Sequence, residues 1–397
     1  MRPVAILGVG MTKFGRSDLT LAGLMSEASV AALRDAKLGN RSVDAVVVAN
    51  MGAARVNRQT AIASALVDRL NLFPAAAETV ENGPASGASA VKVGVQAIAA
   101  GMADVVLVTG VERMRAVNNL EATDFVASLS HPEAEYVYGV TLPSLAGMFA
   151  RLYMSRYGLT RRHLALVSIK NHNNAMRNPY AHIHQAITME GILDAPEARV
   201  NNPPIAEPLH LYDCCPVSDG AASLVLASLD VAQQLNRPAV TIAGIGQATD
   251  THAVQERSDP TELSAVRLAA DQAFERAGLG PKEIDVAELH DAFTILEIAE
   301  SEAAGFFPRG EGHLALEQGV TSLGGTLPIN PSGGLKGRGH PVGATGVAQM
   351  VELTWQLRGE AGTRQVPDAR NGFACNFGGF GNNVVATVLR SERRENA

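Results

Sequence analysis

A single histidine lies in a run of glycines in Asn330-Pro-Ser-Gly-Gly-Leu-Lys-Gly-Arg-Gly-His340-Pro-Val-Gly-Ala-Thr-Gly346. The segment Val347 to Leu357, directly after this run, has the apolar pattern of a buried helix. Glycines let the backbone take positive φ and approach a ligand closely. The N-terminus of the following helix adds unpaired N–H groups and favours negative charge. We therefore interpret His340 as a candidate acid, base or hydrogen-bond donor.

The composition is that of a globular protein with enough apolar residues for a large core. The chain has 397 residues, of which 46% are hydrophobic and 18% are charged. This length indicates two domains or two fused halves. The formal net charge of −7 and a pI near 5.8 argue against a nucleic-acid partner.

Nothing in the sequence indicates a membrane or secreted protein. No apolar run approaches the ~20 residues that span a bilayer, and the first residues lack the pattern of a signal peptide. Three cysteines, two of them adjacent, do not make a disulfide framework. We expect a cytoplasmic protein with reduced thiols.

Segments of the first half return in the second half in the same order. Strand, helix and strand at this spacing indicate βαβ units with parallel, buried strands. We therefore predict an α/β fold of two duplicated βαβαβ-type halves, residues 1–237 and 238–397. The paired segments are Val4–Gly10 with Val240–Gly246, Leu21–Ala36 with Leu263–Ala277, Val43–Ala49 with Val286–Leu289, and Ala103–Thr109 with Asn383–Leu389.

A loop around Pro84 and its helix, Ala88 to Ala100, correspond to the His340 loop and its helix. Both loops follow predicted strands, and ligands bind at the carboxyl ends of parallel strands. A site at the junction of the two halves is therefore predicted.

The first half carries an insertion over about residues 112–235, where tyrosines, histidines and asparagines follow no regular period. Its histidines in Asn171–Asn174 and Tyr180–His184 have no cysteine or carboxylate at a ligand spacing. We therefore expect no metal site.

Four short stretches together resemble the active-site loops of the thiolase superfamily. The match extends over nearly the whole chain, and His-Asp-Ala-Phe makes it most similar to sterol-carrier-protein-type and archaeal thiolases. The resemblance implies a thiolase-like fold with an inserted loop domain. The stretches are Val80-Glu-Asn-Gly-Pro-Ala-Ser-Gly87, His290-Asp-Ala-Phe293, Gly339-His-Pro341 and Cys375-Asn-Phe-Gly-Gly379.

The resemblance implies an enzyme for CoA thioesters, with coenzyme A as part of the substrate and no other cofactor. In this family a cysteine attacks the acyl carbonyl, the Gly-His-Pro histidine helps to activate it, and two oxyanion holes stabilise negative charge. The implied catalytic residues are His290, His340 and Gly378, and Asp291 either orients a neighbour or caps a helix. The implied CoA contacts are Ser332, Gly333 and Gly334.

The sequence departs from the family at the nucleophile. The family pattern Cys-Ala-Ser-Gly is replaced by Pro84-Ala-Ser-Gly87, and proline has neither a thiol nor an N–H. Cys375 is a candidate to contact substrate, whereas Cys214 and Cys215 are expected to pack in the core.

Three functions remain open. The first is an aldolase-like or lyase-like enzyme that makes or breaks a C–C bond through a stabilised enolate, which needs no acyl-enzyme. The second is an acyltransferase that uses another cysteine, and the third is a degenerate subunit that scaffolds an active partner. The resemblance also implies a homodimer and a small OB-fold, zinc-ribbon partner protein.

Overall fold

One mixed sheet runs through the molecule. The computed structural model describes residues 2–236 and 239–392. The strands of the described chain are β1 (Val4–Met11), β2 (Ala45–Ala49), β3 (Ala76–Val80), β4 (Val105–Arg113), β5 (Pro204–Ala206), β6 (Leu209–His210), β7 (Asp219–Ser228), β8 (Val240–Thr249), β9 (Val286–Glu288), β10 (Asn371–Gly378) and β11 (Asn383–Ser391). Nine of them form the sheet in the order β3-β2-β4-β7-β1-β8-β11-β10-β9, and β5 pairs with β6.

The helices lie on the faces of the sheet and in the insertion. None in the described residues is long and apolar enough to cross a membrane. They are α1 (Leu21–Ala36), α2 (Ala53–Val56), α3 (Ile62–Leu70), α4 (Ser86–Ala99), α5 (Asn119–Ala127), α6 (Leu142–Tyr157), α7 (Arg161–Ala175), α8 (Ala198–Asn201), α9 (Leu229–Gln234), α10 (Ser264–Ala277), α11 (Thr294–Ala303), α12 (Gly312–Glu317), α13 (Gly334–Arg338) and α14 (Thr345–Arg358).

The two halves of the chain build their sheets alike. In the first half, β3, β2 and β4 are parallel, and β7 and β1 continue the sheet with antiparallel pairing. In the second half, β9 and β10 are parallel, and β11 and β8 continue with antiparallel pairing. The halves join where β1 pairs with β8 through Ala5 and Ile6.

Two glycines in each half let a strand lie directly against a helix backbone. A Cβ on Gly8 or Gly10 would come within 2.1 or 2.5 Å of a carbonyl oxygen of α1. A Cβ on Gly244 or Gly246 would come within 2.1 or 1.9 Å of a carbonyl oxygen of α10. Only glycine fits such an approach, so the repeated Gly-x-Gly reflects the same packing in both halves.

One predicted correspondence is wrong. The counterpart of β4 is β10, because each follows a central helix (α4 or α14) and pairs in parallel with an earlier strand of its own half, β2 or β9. Residues 383–389 belong to β11, which corresponds instead to β7. The sequence pattern did not distinguish two consecutive apolar strands, since both are buried on both faces.

The central helices bring the halves together. Both α4 and α14 contribute to an apolar cluster that includes strands of both halves. At their N-termini, a Cβ on Gly87 would come within 2.7 Å of the Gly346 backbone. The first turns of these two helices are therefore in contact, at the junction of the two halves.

The segment outside the sheet is narrower than predicted. It runs from residue 114 to residue 218, because β7 is fully buried between β4 and β1. The predicted boundary between residues 237 and 238 falls outside the described residues, and the division into two domains stays a prediction.

Candidate active site

A cavity of about 160 Å³ lies beyond the ends of β3, β9 and β10. Most of its wall is apolar, and much of that wall comes from the insertion. Two histidines and two cysteines also line it. Apolar lining residues include Met114, Val126, Leu142, Phe293, Phe377 and Phe380, and the others are His290, His340, Cys214 and Cys215.

The two histidines on the cavity wall contact each other. The ring centroids of His290 and His340 are 5.0 Å apart and the rings are nearly perpendicular. His290 also stacks on Phe377, with centroids 5.8 Å apart. Only 2% of His290 and 8% of His340 is exposed, so a ligand in the cavity would meet both imidazoles largely without water.

Asn376 and Glu300 hold His290 from behind. The Asn376 Nδ2 group donates to His290 Nδ1 at 3.2 Å, and Asn376 Oδ1 accepts from the Ala88 N–H at 3.2 Å. The backbone N–H of His290 donates to Glu300 Oε2 at 2.9 Å. These contacts leave Nε2 as the ring nitrogen available to a ligand.

His340 is held by the start of α14 and by the end of the insertion. Its Nδ1 lies 2.7 Å from Thr345 Oγ1, and its backbone N–H donates to Ser218 Oγ at 3.2 Å. Farther along this loop, the Gly343 N–H donates to the buried carboxylate of Glu112 at 3.2 Å. Thr345 thus bonds to the ring itself, and two residues of the first half bond to the backbone of its loop.

Burial keeps both histidines neutral. It lowers the pKa of His340 to about 3, with a smaller effect from the Arg338 guanidinium. Burial, then His340 and then Arg338, holds the pKa of His290 well below its ordinary value. Arg338 is paired with Glu288 at 3.0 Å in the interior. At neutral pH each imidazole therefore has one N–H donor and one acceptor nitrogen.

Pro84 lies on the cavity wall, at the position where the resemblance implies a nucleophile. It is buried and lies just before α4. The cavity wall therefore has no thiol at that position.

The two adjacent cysteines are partly buried and line the cavity. Cys214 also packs against the main apolar cluster, as expected, whereas the contact of both residues with the cavity was not expected. The Cys215 N–H donates to the Ala292 carbonyl at 2.9 Å, which draws this segment against the His290 loop. Burial raises the pKa of the Cys215 thiol to about 12 and raises the pKa of Cys214 as well. Neither thiol is disposed to form a thiolate.

Sequence comparison places the whole chain in one family. The description "Thiolase, N-terminal domain" matches residues 4–230, and "Thiolase C-terminal domain-like" matches residues 246–391. The chain belongs to the thiolase family. The predicted resemblance and the predicted α/β fold class are therefore confirmed.

The names of the relatives of this thiolase-family chain do not agree on one activity. An acetyl-CoA acetyltransferase of Methanothermobacter thermautotrophicus is 42% identical, covering 98% of this chain and 100% of that protein. Sterol carrier protein 2 of Rattus norvegicus is 33% identical, covering 98% of this chain and 72% of that protein. The solved structure of the "Ltp2-ChsH2(DUF35) aldolase" is 28% identical, with a TM-score of 0.84 and 99% of each chain covered.

Cys375 does not line the cavity of this thiolase-family chain. It is fully buried in β10, and burial followed by the nearby Glu300 carboxyl holds its thiol pKa well above the ordinary value. The structure thus brings His290, His340 and Pro84 together and leaves Cys375 behind the wall. A role for Cys375 stays a prediction that its burial does not support.

Asp291 is a helix cap. Its carboxylate accepts from the N–H groups of Leu335 and Lys336 at 2.6 and 3.3 Å, and from Asn171 Nδ2 at 2.7 Å. The carboxylate therefore ties the His290 loop to the N-terminus of α13, which leads to His340. Asp291 positions both histidine loops from outside the cavity.

Gly378 and the three predicted CoA contacts do not line the cavity. Gly378 packs against the loop before α4, and its neighbour Gly379 is the one on the wall. Ser332 bonds to the Glu288 carboxylate, with Oγ 2.8 Å from Oε2, and is fully buried. Gly333 and Gly334 pack against α7 and Asp291. The CoA assignment of these three residues stays a prediction that their burial does not support.

No group of three or more His, Cys, Asp or Glu residues within the described chain has an arrangement that could hold a metal ion. The histidines of the two His-rich and Asn-rich stretches have protein partners instead. His182 Nδ1 lies 2.9 Å from Ser218 Oγ, and the other two bond to backbone carbonyls. His172 Nδ1 lies 2.7 Å from the Gln185 oxygen, and His184 Nε2 lies 2.9 Å from the Asn178 oxygen.

The side chains that hold the two histidines did not follow from the sequence. Asn376 belongs to a predicted active-site stretch without a predicted role, and Thr345, Ser218 and Glu300 lie outside the predicted site residues. A polar residue in an otherwise apolar buried strand was the available signal for Asn376.

Proposed function

We propose that this chain makes or cleaves a C–C bond next to a CoA thioester through an enolate, as an aldolase or lyase, without an acyl-enzyme. The observation that carries the proposal is Pro84 on the wall of a cavity that keeps two adjacent neutral histidines. The acyl-carrying thiol is missing, whereas the groups that would handle an enolate are present.

The cleavage direction uses only these groups. One histidine takes the hydroxyl proton of a β-hydroxyacyl-CoA, the Cα–Cβ bond breaks, and the β-carbon becomes a carbonyl. The released electron pair forms the enolate of the shortened thioester, whose oxygen accepts a hydrogen bond from the other imidazole. The proton then returns to Cα, which gives a shorter acyl-CoA and a ketone or aldehyde.

Burial supports this proposal. Charge on an enolate oxygen is stabilised more strongly by a fixed donor in a water-poor cavity than in water. The apolar wall suits an acyl or hydrocarbon group. The resemblance to a solved aldolase, with 28% identity over 99% of this chain, also supports it.

Acyl transfer is the second candidate, favoured by the 42% identity to an acetyl-CoA acetyltransferase. It would need one of the three thiols to carry the acyl group. Their pKa values are all raised by burial, which disfavours the thiolate that attacks an acyl carbonyl.

One experiment separates these candidates. The intact protein is incubated with a panel of acyl-CoAs in D₂O, and both its mass and the exchange of substrate α-protons are followed. The expected result is exchange of the α-protons without an acyl adduct on the protein. The exchange rate should fall by at least about a hundredfold in His290→Ala and in His340→Ala. His313→Ala, which removes a buried histidine outside the cavity, is the matched control and should retain exchange.

Other outcomes would replace the proposal. An acyl adduct on a cysteine would make the chain an acyltransferase. CoA binding without exchange or an adduct would favour the scaffold subunit.

We also propose that the chain works as a homodimer and with a small OB-fold, zinc-ribbon protein. The name of the aldolase structure includes a DUF35 component. The assay above should therefore be run with and without a candidate partner, and a gain in turnover only when both proteins are present is expected.

A further inference from the structure

We infer that Asn376 is a positioning residue that locks His290 as a permanent hydrogen-bond donor, so that His340 alone carries the proton in the reaction. This inference rests on the proposed enolate function. It assigns different roles to two histidines that the sequence motifs leave equivalent.

Hydrogen-bond direction fixes the Asn376 amide. The Ala88 N–H, 3.2 Å from Asn376 Oδ1, can only donate, so the atom facing it must be the amide oxygen. Gly346 closes over the same oxygen, because a Cβ there would come within 2.2 Å of it. The side chain is thus held between the first turns of α4 and α14.

The amide in turn fixes His290. The group that faces His290 Nδ1 at 3.2 Å is an NH₂, which cannot accept a hydrogen bond. Nδ1 must therefore be unprotonated, and in the neutral ring the hydrogen is on Nε2, the nitrogen left for a ligand. The imidazolium form would place an N–H against an N–H, so Asn376 also opposes protonation of this ring.

His340 has the opposite kind of partner. The hydroxyl of Thr345, 2.7 Å from His340 Nδ1, can donate or accept because its hydrogen can instead point to the Pro341 oxygen at 3.0 Å. Thr345 can therefore bond to the neutral ring and to the imidazolium. Only His340 can take up and return a proton without losing its hydrogen bond.

The two roles fit one reaction. His290 Nε2–H donates to the thioester oxygen throughout, while His340 Nε2 takes the proton of the β-hydroxyl group and returns it to Cα. Two rings with centroids 5.0 Å apart can serve adjacent atoms of one substrate. Burial lowers the pKa of both rings, which keeps the resting pair neutral.

The first test leaves Asn376, the partner of His290, unsubstituted. Nitrogen-15 NMR of the wild-type protein with labelled histidine should show His290 protonated at Nε2 only, its signals assigned by their loss in His290→Gln. A spectrum with His290 protonated at Nδ1 would overturn the inference whatever the enzyme's activity proves to be.

A second test uses the different demands of the two roles. An amide can donate a hydrogen bond but cannot cycle a proton, so His290→Gln should retain turnover within about tenfold. His340→Gln should lose at least about a hundredfold in kcat. Equal losses in the two variants would overturn the assignment. Failure of all proteins to act on CoA thioesters would refute the proposed function but leave the NMR result decisive.

Asn376→Asp tests the lock itself. The introduced carboxylate keeps an oxygen for the Ala88 N–H but presents an acceptor to His290 Nδ1, which should therefore become protonated. Turnover should acquire a fall with rising pH, as the imidazolium loses its Nε2 proton, that the wild type lacks. Asn202→Asp, at another buried asparagine that bonds to two backbone groups, should leave the pH profile unchanged. An unchanged pH profile in Asn376→Asp would overturn the proposed role of Asn376 in holding His290 as a donor.

Discussion

Pro84 occupies the cavity wall just before the first turn of α4. A thiol at the N-terminus of a helix has a lowered pKa and reacts readily. The fold thus still presents a place where a cysteine would be activated, although this sequence does not fill it.

Pro84→Cys should therefore create a reactive thiol. We expect iodoacetamide to alkylate the variant at neutral pH at least about tenfold faster than the wild type, whose three thiols have raised pKa values. Mass spectrometry would locate the label, and incubation with acyl-CoA would reveal an acyl adduct. Pro84→Ala is the control for loss of the proline ring. If Pro84→Cys were as unreactive as the wild type, the helix N-terminus would not activate a thiol at this position.

The lowered pKa of buried His340 makes the stability of the fold depend on pH. Its pKa is about 3 in the folded protein and near 6.5 in the unfolded chain. Between these values the unfolded chain binds more protons, so acidification lowers the free energy of unfolding, by at most about 1.4 kcal/mol per pH unit for this residue. The stabilising contribution is complete above pH 6.5.

His340→Gln removes this contribution. Urea unfolding between pH 6.5 and 4.5 should show a smaller loss of stability in the variant than in the wild type. Glu112, whose pKa burial raises to about 7, acts in the opposite direction, and comparison of the two proteins cancels it. Parallel slopes for the two proteins would contradict the buried, neutral state of His340.

The sequence predicted the residues of the site better than their surroundings. His290, His340 and Pro84 were found because each belongs to a short local motif. The Asn376 contact was not, since it links residues 86 positions apart on one side and 288 on the other. Long-range pairs of this kind depend on how strands and helices pack, which local spacing does not report.

At the level of elements, α13 carries the connection between the two histidine loops. Gly334 begins this helix with φ of +59°, and a Cβ there would come within 2.3 Å of Asp291 Oδ2. The cap that Asp291 provides therefore requires glycine at this position.

Gly334→Ala should destabilise the protein and reduce turnover. Gly278→Ala is a matched control, because Gly278 has φ of +63° but a Cβ there would meet no atom within 4 Å. We expect the control to cost about 1–2 kcal/mol from backbone conformation alone. Gly334→Ala should cost more in urea unfolding and should also lower kcat, since α13 leads to His340. Equal costs in the two variants would contradict the proposed contact.

The elements themselves followed largely from apolar periodicity. The central helices and the Gly-x-Gly strands were predicted because their patterns repeat in both halves. Apolar periodicity could not tell β10 from β11, and the predicted correspondence therefore confused the two strands. Both are buried and have the same apolar pattern, and they differ only in direction.

On the scale of the whole molecule, the two ends of the sheet differ. At one end β9 is fully buried. At the other end β3 is parallel to β2, and four of its five residues are exposed, with Val80 partly buried. An exposed edge strand offers unpaired N–H and C=O groups, and proteins normally cover such an edge or pair it with another chain.

We therefore expect two copies of the chain to associate through β3. In light scattering after gel filtration, the wild type should have about twice the 41.6 kDa mass of one chain. Ala77→Lys combined with Thr79→Lys puts two positive charges on the same face of this strand, and like charges at a paired edge oppose association. The double variant should therefore elute as a monomer. Met102→Lys combined with Val200→Lys, at residues 83% and 82% exposed elsewhere, should remain dimeric. A monomeric wild type would refute the dimer, whereas a dimeric β3 variant would place the interface on another surface of the molecule.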